Sequence, residues 1–172
     1  MAETQMSDDM LKLYELAGAD EAVRFSPHCW KTRMALAHKG LEAERIPFHF
    51  TDKDVIAFSG QGLVPVLVDG ETVVHDSWQI ATYLEERFPT PTLFGGDTGR
   101  AVARFVNAWA DGTLGPVIAR VIALDIHSRI AAKDQHYFRE TREKRFGMSL
   151  EAFAAEPGTH VAALRQALAP LR

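Results

Sequence analysis

"VPVLVDGETVVHDSWQ", residues 64–79, sets two β-rich runs around Asp69 and Gly70 and then turns to helical spacing. Asp-Gly is a pair favoured in two-residue hairpin turns, so the first part reads as two antiparallel strands. Asp76 then opens a helix as N-cap, with Gln79 three positions on to complete a capping box. Ile80, Tyr83, Leu84 and Phe88 follow at the spacing of a core-facing stripe.

Working upstream, "DKDVIAF" (52–58) reads as a short, irregular helix, and "EAERIPFHF" (42–50) as a strand. Pro47 cannot donate to a sheet ladder, which confines that strand to an edge. Before it, Ser26 is a favoured N-cap and Pro27 suits the first helical position. "CWKTRMALAHK" supplies good helix formers, and Gly40 ends the helix as a left-handed cap with Leu41 able to pack back on the last turn. "LKLYEL" (11–16) alternates as a half-buried strand does, and "AGADEAVRF" (17–25) is the loop between. A right-handed crossover makes the first two strands parallel neighbours and the hairpin adds two more, giving a small mixed sheet with helices packed on it.

Downstream, Pro and Gly in "FPTPTLFGGDTG" (88–99) mark a linker, and from Arg100 the pattern is helical. Residues 101–127 read as one long helix interrupted near Gly115-Pro116, or as two. "QHYFRETREKRF" (135–146) and "GTHVAALRQALAPL" (158–171) follow. The expected organisation is a polar, acidic, disordered tail over 1–10, an α/β domain over 11–88, a linker over 89–99 and an all-α domain over 100–172.

With 172 residues, 47% of them hydrophobic, the chain can bury a sizeable core. Its net charge of −4 gives no electrostatic reason to expect nucleic acid or an anionic membrane as partner. The N-terminus lacks a basic region followed by an apolar one and no apolar run is long enough to span a bilayer, so a cytoplasmic location is expected. The single cysteine, Cys29, excludes an intramolecular disulfide and fits a reducing compartment. The seven histidines show no ligand spacing to one another or to Cys29, so no metal site is expected. "RETREKR" (139–145) reads as a solvated helix face, with Glu140 and Lys144 a supporting pair at i,i+4.

Three segments in this order carry a resemblance: "FSPHCWKTRMALAHKGL" (25–41), "SGQGLVPVLVDG" (59–70) and "HDSWQIATYLEERFP" (75–89). Together they resemble the glutathione S-transferase family, which implies a thioredoxin-like domain followed by a helical one. The long loop before "SPHCW", with "FSGQG" and "YFRETREKRFG", further resembles the bacterial branch related to lignin β-aryl-etherases. The resemblance implies glutathione as co-substrate, a small hydrophobic electrophile, a homodimer and, for that branch, aryl-ether cleavage. It makes Ser26 the catalytic residue, with Cys29 a secondary candidate. It gives Val64, Pro65, Asp76 and Ser77 to glutathione, with a cis Val64-Pro65 bond, and assigns Trp109 and Tyr137 to the hydrophobic substrate site.

Two departures stand against that pattern. Leu63 occupies a position where relatives often carry lysine, and the chain stops at "ALAPLR" where family members continue into further helices, so the helical domain is expected to be incomplete.

The residues themselves leave alternatives at each position. A proline that starts a strand is ordinarily trans. Asp76 suits a plain helix cap as well as it suits a ligand site, and the helix end beside Ser77 is a natural seat for a carboxylate. Ser26 is a cap that retains a proton to donate. Cys29 would have a lowered pKa if exposed on the first turn, or would be an inert buried thiol. Tyr14 is either a third hydroxyl candidate or a core side chain. The enzyme reading therefore competes with a non-catalytic glutathione- or partner-binding protein and with a Cys29-dependent thiol-disulfide oxidoreductase. Serine at the first position of S-P-H-C, where glutaredoxin-like enzymes attack with cysteine, counts against the last.

Overall fold

The computed structural model describes residues 10–171; apart from Met10, the tail expected at the N-terminus lies outside the described residues. The chain divides into two compact units, meeting in sequence between Leu93 and Phe94.

In the first unit β1 (Leu11–Leu16) pairs in parallel with β2 (Ala43–Phe48) and antiparallel with β3 (Val66–Asp69), which pairs antiparallel with β4 (Thr72–His75). The order β2-β1-β3-β4 leaves β2 at the edge, where Pro47 costs no ladder hydrogen bond. The hairpin turn falls one residue later than the Asp-Gly pair implies. Asp69 pairs with Thr72, so Gly70 and Glu71 make the turn, with Gly70 at φ 57°. A glycine at the first central position supplies the positive φ that a twist-matched hairpin needs.

Helices α1 (Pro27–Lys39) and α2 (Ser77–Arg87) pack together over one face of the sheet. Leu11 and Leu13, alternating along β1, meet Leu36 of α1, Leu67 of β3, and Ile80 and Leu84 of α2 in one buried cluster. Tyr83, Phe88 and Leu41 pack against its rim. Gly40 (φ 67°) closes α1, and Leu41 N–H returns to the Leu36 carbonyl at 3.0 Å. The irregular helix is a 3-10 helix, Lys53–Ser59, anchored by fully buried Ile56.

The second unit is helical: α3 (Asp97–Trp109), α4 (Gly115–Arg129), α5 (Ala132–Phe146), the short α6 (Leu150–Phe153) and α7 (Pro157–Ala167). A π turn, Ala110–Leu114, joins α3 to α4. It answers the interruption expected at Gly115-Pro116, because Pro116 has no N–H and its ring crowds the carbonyl four residues back, so the ladder widens there. Helix α3 starts at Asp97, three residues before the expected Arg100. Gly99 permits that start, since a Cβ there would fall 1.7 Å from the Phe94 carbonyl oxygen. Helix α6 is too short for a periodic signal; Ser149 caps it by accepting from Ala152 N–H at 3.2 Å.

The charged run on α5 pairs differently from the expectation. Arg139 bridges Glu143 and Glu151, both at 2.9 Å, while Glu140 lies 3.9 Å from His136 rather than serving Lys144. Glu151 comes from α6, so the run holds two helices together as well as facing solvent. No helix among the described residues is long and apolar enough to cross a membrane.

Candidate functional site

Strand register assembles the site. Tyr14, near the C-terminal end of β1, pairs with Val66, and Val66 pairs with His75. Pro65, just before β3, and Asp76, just after β4, are therefore brought to the same end of the sheet as the exit of β1. The N-terminus of α1 is tied to that end by Leu16 N–H, which donates to Cys29 Sγ at 3.5 Å. Ser26, Val64-Pro65 and Asp76-Ser77, far apart in sequence, thus flank one end of one sheet.

Ser26 caps α1 from an extended conformation, φ −71° and ψ 120°, its Oγ accepting Cys29 N–H at 3.4 Å. With the oxygen used as an acceptor, the one hydroxyl proton remains for donation, and in this structure it is directed at the Cys29 sulfur. The residue is only 7% exposed. Cys29 is fully buried. Burial pushes its thiol up, the negative charge of Glu15 adding to the effect, while hydrogen bonds from Ser26 and Leu16 and the charge of Arg24 work the other way. The lowering that the sequence offers for an exposed Cys29 does not occur, because the Cys29 side chain turns inward while Pro27, His28 and Trp30 around it are exposed.

The Val64-Pro65 bond is cis. Leu63 before it is exposed, held by its N–H to Gln61 Oε1 at 2.8 Å. A cation nonetheless stands beside this loop: Lys53 Nζ donates to the Gly62 carbonyl at 2.6 Å. Sequence reasoning missed Lys53, since its partner lies nine residues away and no spacing rule links a 3-10 helix to the loop after it.

Asp76 takes the left-handed φ of 68° with ψ 129°, and its Oδ1 accepts Trp78 N–H at 2.9 Å and Gln79 N–H at 3.1 Å. A non-glycine residue in such a region costs about 1–3 kcal/mol and recurs at functional sites. Ser77 is buried beside it at the start of α2. Tyr14, half-buried, packs its ring 5.3 Å from Phe58 on the 3-10 helix. Trp109, at the end of α3, and Tyr137, on α5, belong to the second unit and are half-buried. Among the described residues, no group of three His, Cys, Asp or Glu side chains is arranged to hold a metal ion.

Two family models match the chain: the N-terminal domain of glutathione S-transferases over residues 25–87 and the C-terminal domain over 101–172. The chain belongs to the glutathione S-transferase family. Its similarity to glutathione S-transferase Z1 of Arabidopsis thaliana is 35% identity over 103 residues, 57% of this chain and 43% of that protein. Similarity to a maleylpyruvate isomerase of a Ralstonia species is 30% over 139 residues, 77% of this chain and 58% of that one. Among solved structures, glutathione transferase GSTFuA3 from Phanerochaete chrysosporium superposes with a TM-score of 0.84 at 26% identity, over 96% of this chain and 72% of that one. The chain thus spans less than half the length of the Arabidopsis relative. The thioredoxin-like first domain and the helical second domain are the architecture of the family.

Proposed function

We propose that the protein is a glutathione-dependent transferase in which Ser26 donates a hydrogen bond to the glutathione sulfur. The thiol loses its proton to solvent, and the thiolate attacks an electrophilic carbon of a small hydrophobic substrate. The carbon–sulfur bond forms as the bond from that carbon to its leaving group breaks, and the leaving group departs with the electron pair. The observation that carries this reading is the position of Ser26 as N-cap of α1, at the sheet end that also receives Val64-Pro65 and Asp76-Ser77.

The energetics support it. Lowering a thiol pKa from about 8.5 by two units needs about 2.7 kcal/mol of preference for the anion. A hydrogen bond to a charged acceptor contributes about 1.5–3 kcal/mol, and a helix N-terminus about 0.3–1 kcal/mol more. One hydroxyl at a helix end is therefore sufficient.

In this reading the backbone of Val64, next to Pro65, grips the cysteinyl part of glutathione. The N-terminus of α2, with Ser77 and Asp76, holds the γ-glutamyl end. Lys53 stands where a cation can face the glycine carboxylate, taking over from the lysine absent at Leu63. Cys29 is structural: a thiol buried and pushed up is a poor nucleophile, which counts against the oxidoreductase alternative. Trp109 and Tyr137 remain the proposed lining of the electrophile site. Aryl-ether cleavage is the reaction that the resemblance of "FSGQG" and "YFRETREKRFG" to the etherase-related branch favours. The similarity to the Ralstonia protein favours a second reading, in which the thiolate adds to an unsaturated acid and leaves again, isomerising it. A homodimer in a reducing, cytoplasmic setting completes the proposal.

Calorimetric titration of glutathione into wild type and Ser77→Ala tests the site. Weaker binding in the variant is expected; equal affinity, or no binding to either, contradicts the assignment.

A further inference from the structure

A buried ion-pair cluster lies behind Ser26 and has no part in the proposed chemistry. Glu15, on β1, is 1% exposed. Arg24 Nε donates to its Oε1 at 3.1 Å, with the Arg24 side chain 11% exposed, and Arg33 Nε of α1 stands 3.8 Å from Oε2. Neither Glu15 Oε2 nor Arg24 Nη1 has a hydrogen-bond partner, although both are buried. For a charged pair taken this far out of water desolvation offsets much of the attraction, so its presence is weak evidence of net stabilisation.

Its place in the chain says what else it does. The loop after β1 is tied down at its start, by Ala17 N–H to the Phe48 carbonyl at 2.9 Å, and closes on itself through Gly18 N–H to the Val23 carbonyl at 2.9 Å. Between that turn and the cap, Arg24 provides the strong ties. Its side chain reaches Glu15, and its carbonyl accepts Trp30 Nε1–H of α1 at 2.9 Å. Trp30 in turn carries the Arg33 guanidinium 4.0 Å over its ring. Phe25 adds only a ring contact, 6.3 Å between centroids, with Phe50. Strand, loop and first helical turns are therefore linked through one residue, two positions before Ser26.

We infer that Arg24, held by the buried carboxylate of Glu15, is a positioning residue: it clamps the loop so that the Ser26 hydroxyl stays on the α1 N-terminus and the corner over Cys29 stays shut. The inference rests on the reading of Ser26 as the thiol-activating residue, but its structural part can be read without glutathione. Cys29, the only cysteine and fully buried, reports opening of the corner by its reaction with a thiol reagent.

The experiment measures the rate at which dithiobis-nitrobenzoate labels Cys29, beside the melting temperature, in wild type, Arg24→Met, Arg24→Lys, Arg33→Met and the double variant Glu15→Gln/Arg24→Met. Arg24→Met should label at least about tenfold faster, the scale of one lost charge-assisted hydrogen bond. Arg24→Lys should recover most of the protection, and Arg33→Met, which touches the same carboxylate but not the loop, should stay near wild type. The double variant removes the stranded buried charge without restoring the tether, so its melting temperature should recover while Cys29 remains reactive. Unchanged labelling in Arg24→Met overturns the inference, as does a double variant in which melting and protection recover together, which makes the pair merely structural. The absorbance of the bound glutathione thiolate separates the two levels. No thiolate in wild type would defeat the functional reading, while the labelling series would still decide whether Arg24 holds the loop.

Discussion

In the first unit Leu13, Ile56, Val66, Leu67, Ile80 and Leu84 are sealed from solvent, whereas α3 of the second unit, thirteen residues long, buries none of its side chains. Val102, Phe105 and Val106 recur at i, i+3 and i+4 along α3 and are 57%, 72% and 43% exposed. Among the described residues, the buried apolar side chains of the second unit are Ala123, Ile130, Phe138, Leu150 and Phe153. A sheet buries apolar surface on both faces at once, and here α1 and α2 cover one face while the ring of Phe58, from the 3-10 helix, packs against Tyr14 of β1. A helix has one stripe to bury and needs a neighbour along it. The first unit is thus held by a closed core, and the second by a small core supplemented with ring stacking and ion pairs. Phe146 and Phe153 stack at 3.7 Å, Arg120 lies 4.5 Å over Phe153, and Arg139 joins α5 to α6.

The sharpest way to break this comparison is to truncate the closed core. Leu13→Ala removes a side chain with no exposure from the centre of the sheet and should cost about 2–5 kcal/mol in denaturant unfolding. A cost below about 1 kcal/mol would mean that the core of the first unit is not its main support.

The next effect concerns a polar clamp in the same unit. The Lys39 side chain, fully buried at the end of α1, donates to Glu85 at 2.5 Å and to the Phe88 carbonyl at 2.6 Å. Burial alone would raise the Glu85 carboxyl, but the Leu93 N–H, Lys39 and the Thr92 hydroxyl outweigh it and hold the group at about 2. Because the folded value lies below the ordinary 4.5, this contribution is complete above about pH 4.5 and is lost as pH falls toward about 2. Lys39→Met should cost about 1–3 kcal/mol at neutral pH, since it leaves the Glu85 carboxylate and the Phe88 carbonyl short of a donor. Glu85→Gln should flatten the acid limb of the stability curve. An unaltered limb in that variant would show that Glu85 is not the titrating group.

The parts of the first unit legible in the sequence were those set by local chemistry: Ser26 and Gly40 bounding α1, Pro47 sending β2 to the edge, and Asp76 opening α2. Their patterns fit within a dozen residues, and tertiary contacts reinforce rather than override them. What escaped depends on partners distant in the chain. The inward turn of Cys29 follows from its contact with Leu16, the Lys53 cation finds its carbonyl nine residues on, and Arg24 meets Glu15 only because the loop folds back. In the second unit the interruption at Pro116 was legible because a missing N–H is a local fact. The early start of α3 turns on the gap left by Gly99 against Phe94, which no periodicity announces.

The smallest expected change in stability lies on the open seam of α3. Phe105→Ser should alter unfolding free energy by no more than about 0.5 kcal/mol, because the side chain is 72% exposed. If the proposed homodimer uses this exposed apolar stripe, the same substitution should weaken self-association measured by sedimentation. A large loss of stability would place Phe105 in a core and erase the contrast between the two units.

The central claim is that Ser26, and not Cys29, activates the thiol. Ultraviolet titration of the thiolate of bound glutathione against pH in wild type, Ser26→Ala and Cys29→Ala addresses it directly. Removing one hydrogen bond to a charged acceptor should raise the apparent thiol pKa by about one to two units in Ser26→Ala. Cys29→Ala should leave it close to the wild-type value. A thiolate curve unmoved by Ser26→Ala, or one moved by Cys29→Ala instead, would contradict the account.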